Sequence, residues 1–231
     1  MDRSQCDGDT GHEGAAVDRG AGGEYRAVSN PYAVTKQFEE ELAIYTGAPF
    51  AVALNSCTAA LLLAVQWCDR HDIDRPQTVV TIPRRTYVSV PCAIKLAGCH
   101  VAWRDEDWRG TYQLKPFPVW DSARRFTSNC YVPGLFQCVS FAASKILGAE
   151  QGGAILHDNP DADAWFRRMR FDGRTEGVDP MEDTFDLCGH HVLMIPSVAA
   201  TLLVRLHHLP RHNEDLPYYN YPDLSQHKAF R

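Results

Sequence analysis

Residues 137–145, QCVSFAASK, carry the most information about the fold of this chain. They begin as a short apolar run, which predicts a buried strand, and they end in a turn of small residues that leads to Lys145. A lysine in such a turn becomes a nucleophile toward aldehydes when its surroundings lower the pKa of its amine. This pattern makes Lys145 a candidate for covalent bonding to pyridoxal phosphate, although most lysines in loops are solvated charges.

Short, apolar, β-rich runs continue on both sides of this stretch. Helical patterns separate several of them, and Asn30-Pro31 and Asn159-Pro160 are typical helix starts, with Asn as the cap. This alternation predicts an α/β fold in three layers, with a mostly parallel sheet between two layers of helices and ligand-binding turns at the strand ends. The predicted strands are residues 50–54, 79–82, 100–103, 117–120, 137–141 and 153–156.

Asp121 directly follows one of these runs, residues 117–120, and is therefore expected where a buried strand ends. A carboxylate there can face a cavity. Pyridoxal phosphate needs a carboxylate against its ring nitrogen, because the protonated ring accepts the electrons of a substrate carbanion. The alternative is that Asp121 caps the turn that follows it.

Residues 55–61, NSCTAAL, form a polar turn between the run at 50–54 and a helical pattern that reaches Trp67. Backbone N–H groups and the helix dipole make such a helix start a phosphate site, to which the hydroxyls of Ser56 and Thr58 would add donors. Ordinary N-capping explains the same two residues.

Together these segments resemble the DegT/DnrJ/EryC1/StrS family of pyridoxal-phosphate sugar aminotransferases, over residues from about 30 to 206. The segments that carry the resemblance are residues 56–61 (SCTAAL), 86–89 (TYVS), 121–124 (DSAR), 140–145 (SFAASK), 152–154 (GGA), 170–174 (RFDGR) and 189–200, which begins GHH. The family has the large domain of the aspartate aminotransferase-like fold.

The resemblance implies a role for each matching residue. Lys145 would hold the cofactor, Asp121 would bind its ring nitrogen and Tyr87 would place an aromatic ring over it. His191 would reach the phosphate of a neighbouring subunit, which implies a homodimer with shared active sites. The other implied cofactor-binding residues are Ser56, Cys57, Thr58, Ser140 and Arg124.

Three of these residues depart from the family pattern. Cys57 replaces a glycine, which is costly only if its φ is positive. Arg124 replaces a Gln or His and adds a fixed positive charge beside the cofactor. His191 replaces an asparagine and can still donate a hydrogen bond.

The chain divides into three predicted regions: a flexible N-terminal arm at residues 1–26, a cofactor-binding large domain at 27–208, and an irregular C-terminal tail at 209–231. The arm is rich in Gly and Asp and poor in large apolar groups. The tail is rich in turn formers and aromatic residues and has no helical period. We therefore expect the family's small C-terminal domain to be largely absent.

The predicted activity is transfer of an amino group from an amino acid, by resemblance glutamate, to a keto-sugar that is nucleotide-linked, as in polysaccharide biosynthesis. A second hypothesis is a catalytically degenerate or regulatory homologue that dimerises without transaminating, which Cys57, Arg124 and the missing domain favour. A pyridoxal-phosphate-dependent deoxysugar dehydratase ranks lower, because the family members that dehydrate replace the lysine with histidine.

Composition favours a cytoplasmic protein that binds neither nucleic acid nor membrane. The formal net charge is -6, and the basic residues form no long run. None of the eight cysteines forms a Cys-x-x-Cys pair, so we expect no metal site and mostly buried thiols. Trp108, like most of the tryptophans, is predicted to be a packing residue.

Overall fold

Seven strands and five α-helices lie within the part of the chain that the computed structural model describes, residues 30, 32–70, 77–217 and 220–230. The predicted N-terminal arm, residues 1–26, lies outside these residues. The strands are β1 (Phe50–Leu54), β2 (Val79–Pro83), β3 (His100–Arg104), β4 (Tyr112–Leu114), β5 (Val119–Asp121), β6 (Phe136–Ser140) and β7 (Gly153–His157). The helices are α1 (Ala33–Thr46), α2 (Cys57–Asp69), α3 (Ser89–Leu96), α4 (Pro160–Met169) and α5 (Pro196–His208).

The strands form one continuous sheet in two hydrogen-bonded blocks. Five strands pair in the order β1-β7-β6-β5-β4, and β2 pairs with β3. A reciprocal pair of backbone hydrogen bonds between Thr81 and Lys115, at 2.7 and 3.1 Å, joins β2 to the end of β4. The pairings leave β4 and β7 antiparallel to the other five strands. Most strands therefore run in one direction, as predicted, although only two of the five strand pairings are parallel.

Helices cover both faces of the sheet, which gives the three predicted layers. Along β1 the side chains alternate in the way a pleated strand requires. Val52 and Leu54 belong to a core shared with α2, α3 and α4, whereas Ala51 and Ala53 belong to a second core shared with α1 and α5. The sheet is therefore buried on both sides, as its apolar strands predict.

A cluster of ionised side chains covers the outer edge of β1, the terminal strand of the sheet. Glu39 of α1 is only 4% exposed and accepts a 2.7 Å hydrogen bond from the Ala53 N–H. Arg170 pairs with Glu39 and donates to the Ala53 carbonyl at 2.8 Å, while Arg167 donates to Glu39 at 2.7 Å. Charged side chains here satisfy backbone groups that an edge strand normally leaves unpaired.

The described residues of the tail, 209–217 and 220–230, pack along the surface of the large domain. It contains two short 3₁₀ turns, Leu224–Gln226 and Lys228–Phe230, and Leu224 is buried. Among the described helices, none combines the length and the apolar composition that a bilayer-spanning segment requires.

Candidate active site

A cavity of about 500 Å³ lies at the carboxyl end of the parallel strands. Since β1, β5 and β6 run in the same direction, the turns that follow them meet at one edge of the sheet. Eight of the nine predicted site residues line this cavity: Ser56, Cys57, Thr58, Tyr87, Asp121, Arg124, Ser140 and Lys145.

The start of α2 forms one side of the cavity. Ser56 is its N-cap residue, and the Ser56 side chain accepts a 3.1 Å hydrogen bond from the Ala59 N–H. Thr58 donates to the Ser89 hydroxyl at 2.8 Å. A helix start with these hydroxyls beside it can bind an anionic group such as phosphate.

Cys57 is the first residue of α2 and has an ordinary helical backbone, so its replacement of a glycine causes no strain at this position. The glycine that the turn requires is Gly153, at the start of β7. A Cβ atom on Gly153 would lie 2.3 Å from the Cys57 backbone nitrogen and 2.5 Å from the Ser56 carbonyl carbon. Because Gly153 has no side chain, β7 can approach the start of α2 closely.

Asp121 ends β5 and is only 5% exposed. One carboxylate oxygen accepts a 2.9 Å hydrogen bond from the Tyr112 hydroxyl, and the other accepts one of 2.9 Å from the Ala123 N–H. The Tyr112 hydroxyl also lies 2.5 Å from that of Thr86. Burial raises the pKa of Asp121, and the two hydrogen bonds and the nearby Lys145 ammonium oppose this rise. Asp121 is thus a buried carboxylate with fixed orientation.

Lys145 lies across the cavity in the turn after β6, where its backbone N–H donates to the Ala142 carbonyl at 2.8 Å. Burial lowers the pKa of Lys145, and the Arg124 guanidinium lowers it further. The negative charge of the Asp121 carboxylate acts in the opposite direction. A lysine whose pKa is lowered in this way is more often neutral and hence more nucleophilic.

Arg124 is 8% exposed and contacts the tail as well as the cavity. Its guanidinium donates to the Pro217 carbonyl at 2.5 Å, and its own carbonyl accepts a 2.9 Å hydrogen bond from the Leu216 N–H. The charge that distinguishes this chain from the family pattern is therefore held in place by the C-terminal tail.

Three aromatic residues form the remaining wall. Trp108 is only 9% exposed, whereas Tyr87 is 57% exposed at the mouth of the cavity. The Tyr221 ring lies between them, with its centroid 6.2 Å from that of Trp108 and 6.3 Å from that of Tyr87. Trp108 is a packing residue, as predicted, since it belongs to the core that β1 shares with α2, α3 and α4, and it also lines the cavity.

His191, the ninth predicted residue, lies outside this cavity. Its side chain is 75% exposed, and its Nδ1 atom lies 2.8 Å from a carboxylate oxygen of Asp172. The position suits a residue that would act on a neighbouring subunit, and that role stays a prediction.

The sequence did not point to Tyr112, Thr86 or Tyr221 as site residues. Tyr112 lies in the three-residue strand β4, which is too short to show a period of two, and Tyr221 lies in a stretch without periodicity. The signal for Tyr221 is the frequency of tyrosine in the tail, and the signal for Thr86 is its place in the segment 86–89 that carries the family resemblance.

The donor set of the cavity fits pyridoxal phosphate. A nucleophilic lysine matches the aldehyde, a buried carboxylate matches the ring nitrogen, and the start of α2 with its hydroxyls matches the phosphate. Within the described residues, no group of three or more His, Cys, Asp or Glu side chains is arranged to hold a metal ion.

Solved structures of similar fold include several aminotransferases. AtS13 from Actinomadura melliaura has a TM-score of 0.63 at 20% identity, covering 75% of this chain and 59% of that protein. PseC from Helicobacter pylori, an aminotransferase in pseudoaminic acid biosynthesis, has a TM-score of 0.64 at 17% identity, covering 75% and 57%. The putative sugar aminotransferase Spr1654 from Streptococcus pneumoniae, solved in its PMP form, has a TM-score of 0.61 at 20% identity, covering 77% and 59%.

These likenesses confirm the aspartate aminotransferase-like fold, and the chain spans 57 to 59% of the length of the three proteins. No curated protein sequence matches the chain. The family model of the DegT/DnrJ/EryC1/StrS aminotransferases matches residues 24–123 and 133–216, which include every predicted site residue except Arg124. The chain belongs to the DegT/DnrJ/EryC1/StrS aminotransferase family.

Proposed function

We propose that this protein is a pyridoxal-phosphate-dependent aminotransferase that moves an amino group from glutamate to a keto-sugar, which is linked to a nucleotide. The observation that carries the proposal is the meeting of Lys145 and Asp121 in one cavity, next to the start of α2. These groups come from three separate segments of the chain, and only the fold brings them together.

Each side chain has a distinct task in this proposal. The N–H groups at the start of α2, with the hydroxyls of Ser56, Thr58 and Ser140, bind the phosphate. Asp121 keeps the ring nitrogen protonated, and Tyr112 and Ala123 orient its carboxylate. Tyr87 lines the cavity and would cover the ring, as the family resemblance implies.

Bound pyridoxal phosphate supplies an electron sink that stabilises negative charge on the α-carbon of the amino donor. Lys145 supplies the proton transfer. Its Nζ atom would hold the cofactor and would accept and return protons at the α-carbon of the amino donor, as a general base and acid. A lowered pKa suits this task, since a general base must be neutral near the working pH.

The proposal extends to the organisation of the protein. In this proposal residues 27–208 are the cofactor-binding domain and residues 209–231 are a tail. The protein acts in the cytoplasm as a homodimer in which His191 reaches the partner's phosphate. Its place is in nucleotide-sugar metabolism that supplies polysaccharide synthesis.

The test is the visible absorption spectrum of the purified protein with pyridoxal phosphate, before and after glutamate is added. We expect a band that the wild type and Lys36→Ala form and that Lys145→Ala lacks. Lys36 is an exposed residue of α1 and is the matched control. Glutamate should bleach the band as the amino group passes to the cofactor.

Two other results would contradict the proposal. A band that forms but does not respond to glutamate would mean another donor or another pyridoxal-phosphate reaction. The absence of any Lys145-dependent band would favour the catalytically degenerate homologue.

A further inference from the structure

The C-terminal tail reaches the cavity through a series of fixed contacts. Asp215 forms a two-pronged ion pair with Arg125, with N–O distances of 2.7 and 3.0 Å, and the Leu216 N–H donates to the Arg124 carbonyl. Beyond the cavity, the Leu224 N–H donates to the Arg84 carbonyl at 2.9 Å, and the Leu224 side chain is only 3% exposed. The tail is thus attached to the domain on both sides of Tyr221.

Tyr221 is the tail residue that lines the cavity. Its ring is nearly parallel to that of Trp108, at an interplanar angle of 10°, and meets the Tyr87 ring at 61°. Trp108 is itself held by a 2.9 Å hydrogen bond from its indole N–H to the Arg85 carbonyl. Tyr221 therefore connects an immobilised buried ring to the exposed ring of Tyr87.

We propose that Tyr221 is a positioning residue of the cofactor site, and that the tail is a working part of that site. Tyr87 is largely exposed, so its ring is free to take several rotamers unless a neighbour restricts it. The edge-to-face contact with Tyr221 supplies that restriction, and it reduces the entropy that Tyr87 loses when it packs over a bound ring. This inference rests on the proposed function, because it assumes that the cavity binds the cofactor.

The position of Arg124 supports the same view. Residues 216 and 217 of the tail hold both the backbone and the guanidinium of Arg124, which lines the same cavity. The tail therefore fixes both the aromatic wall at Tyr221 and the positive charge of Arg124. Displacement of the tail would disturb both together.

The test uses pyridoxamine phosphate, which carries an amine in place of the aldehyde and so measures binding without the bond to Lys145. Its Kd is measured by calorimetry for the wild type, Tyr221→Ala, Tyr221→Phe and Phe230→Ala. Phe230 is the matched control, because this aromatic tail residue packs against Trp103 at a centroid distance of 6.2 Å and does not line the cavity.

We expect Tyr221→Ala to weaken binding roughly tenfold, since one aromatic contact and the order of Tyr87 are lost. Tyr221→Phe and Phe230→Ala should bind as the wild type does. Because coupling is reciprocal, the ligand should also slow hydrogen exchange at the amides of Leu216 and Leu224 in the wild type, and it should do so much less in Tyr221→Ala.

Equal Kd values for the wild type and Tyr221→Ala, or an equal loss in Phe230→Ala, would overturn the role of Tyr221. If Tyr221→Ala does not fold, Tyr221→Leu tests the same contact, because leucine keeps the apolar bulk without the ring face. A wild type that binds no pyridoxamine phosphate would instead refute the proposed function, so the two failures are distinguishable.

Discussion

The Tyr112 hydroxyl donates a 2.9 Å hydrogen bond to the Asp121 carboxylate in a place where both groups are almost fully buried. This bond favours the charged form of Asp121 against the effect of burial. Tyr112→Phe should therefore raise the pKa of Asp121, and protonation of the carboxylate should weaken cofactor binding at a higher pH than in the wild type. The pH dependence of the Kd for pyridoxamine phosphate measures this shift.

The same substitution should lower the free energy of unfolding by about 1–3 kcal/mol, because the Thr86 hydroxyl loses its partner. Tyr131→Phe is the matched control, since the Tyr131 hydroxyl bonds to the Leu135 carbonyl outside the cavity. If the Kd for pyridoxamine phosphate depends on pH in the same way in Tyr112→Phe and in the wild type, Tyr112 does not lower the pKa of Asp121.

Arg124 should set the reactivity of Lys145. Its positive charge disfavours a second positive charge nearby and so lowers the pKa of Lys145. Arg124→Gln removes this effect, and the pKa of Lys145 should rise. The rate at which pyridoxal phosphate bonds to the protein should then reach half its maximum at a higher pH than in the wild type.

Arg125→Gln provides the comparison, because the Arg125 charge pairs with Asp215 and is not among the causes of the Lys145 shift. The pH profile of Arg125→Gln should match that of the wild type. If the pH profiles of Arg124→Gln and the wild type coincide, burial alone lowers the pKa of Lys145.

Gly153→Ala should damage the phosphate side of the site. Its Cβ would lie 2.3 Å from the Cys57 nitrogen, so either β7 or the start of α2 must move. We expect a loss of about 1–3 kcal/mol in the free energy of unfolding and at least a tenfold weaker affinity for pyridoxamine phosphate.

Gly134→Ala is the control that separates the loss of stability from the loss of affinity. Urea titration measures the free energy of unfolding, and calorimetry measures the affinity for pyridoxamine phosphate. Gly134 has a φ of +81° and open space around it, so alanine there costs about 1–2 kcal/mol of backbone strain without touching the cavity. Equal ligand affinities in the two variants would show that the close approach at Gly153 is irrelevant to binding.

Glu39→Ala should destabilise the fold by about 3–5 kcal/mol, because it leaves the buried charge of Arg170 without its main partner. Urea denaturation measures the change. Glu40→Ala alters an exposed neighbour on the same helix and should stay within about 0.5 kcal/mol of the wild type. Similar losses in both variants would show that loss of the ion pair with Arg170 is not the cause.

The parts of the site that the sequence predicted are those formed by local segments. The Ser56–Thr58 turn and the Ser140–Lys145 turn each follow an apolar strand, so their place at the sheet edge follows from the strand pattern. The helix start at Asn159 is also confirmed, since its side chain accepts a 3.0 Å hydrogen bond from the Ala162 N–H. At the other expected start, α1 begins only at Ala33 with Tyr32 as its N-cap residue, so that prediction is wrong.

The remaining parts depend on contacts between distant segments. Tyr221 lies 134 positions along the chain from Tyr87, and no local pattern relates the two. Strand β4 has only three residues, Tyr112–Leu114. Its pairing with β5, and not its own short sequence, identifies it as a strand. Long-range packing of this kind leaves no trace in periodicity.

The covered edge of β1 has a consequence for assembly. Because Glu39 and Arg170 already occupy the Ala53 N–H and carbonyl, a second chain lying alongside this strand cannot form main-chain hydrogen bonds to Ala53 without displacing them. Sheet extension from one copy to the next is therefore disfavoured at this edge. The dimer that the proposed function requires is therefore expected to form at a surface other than this edge.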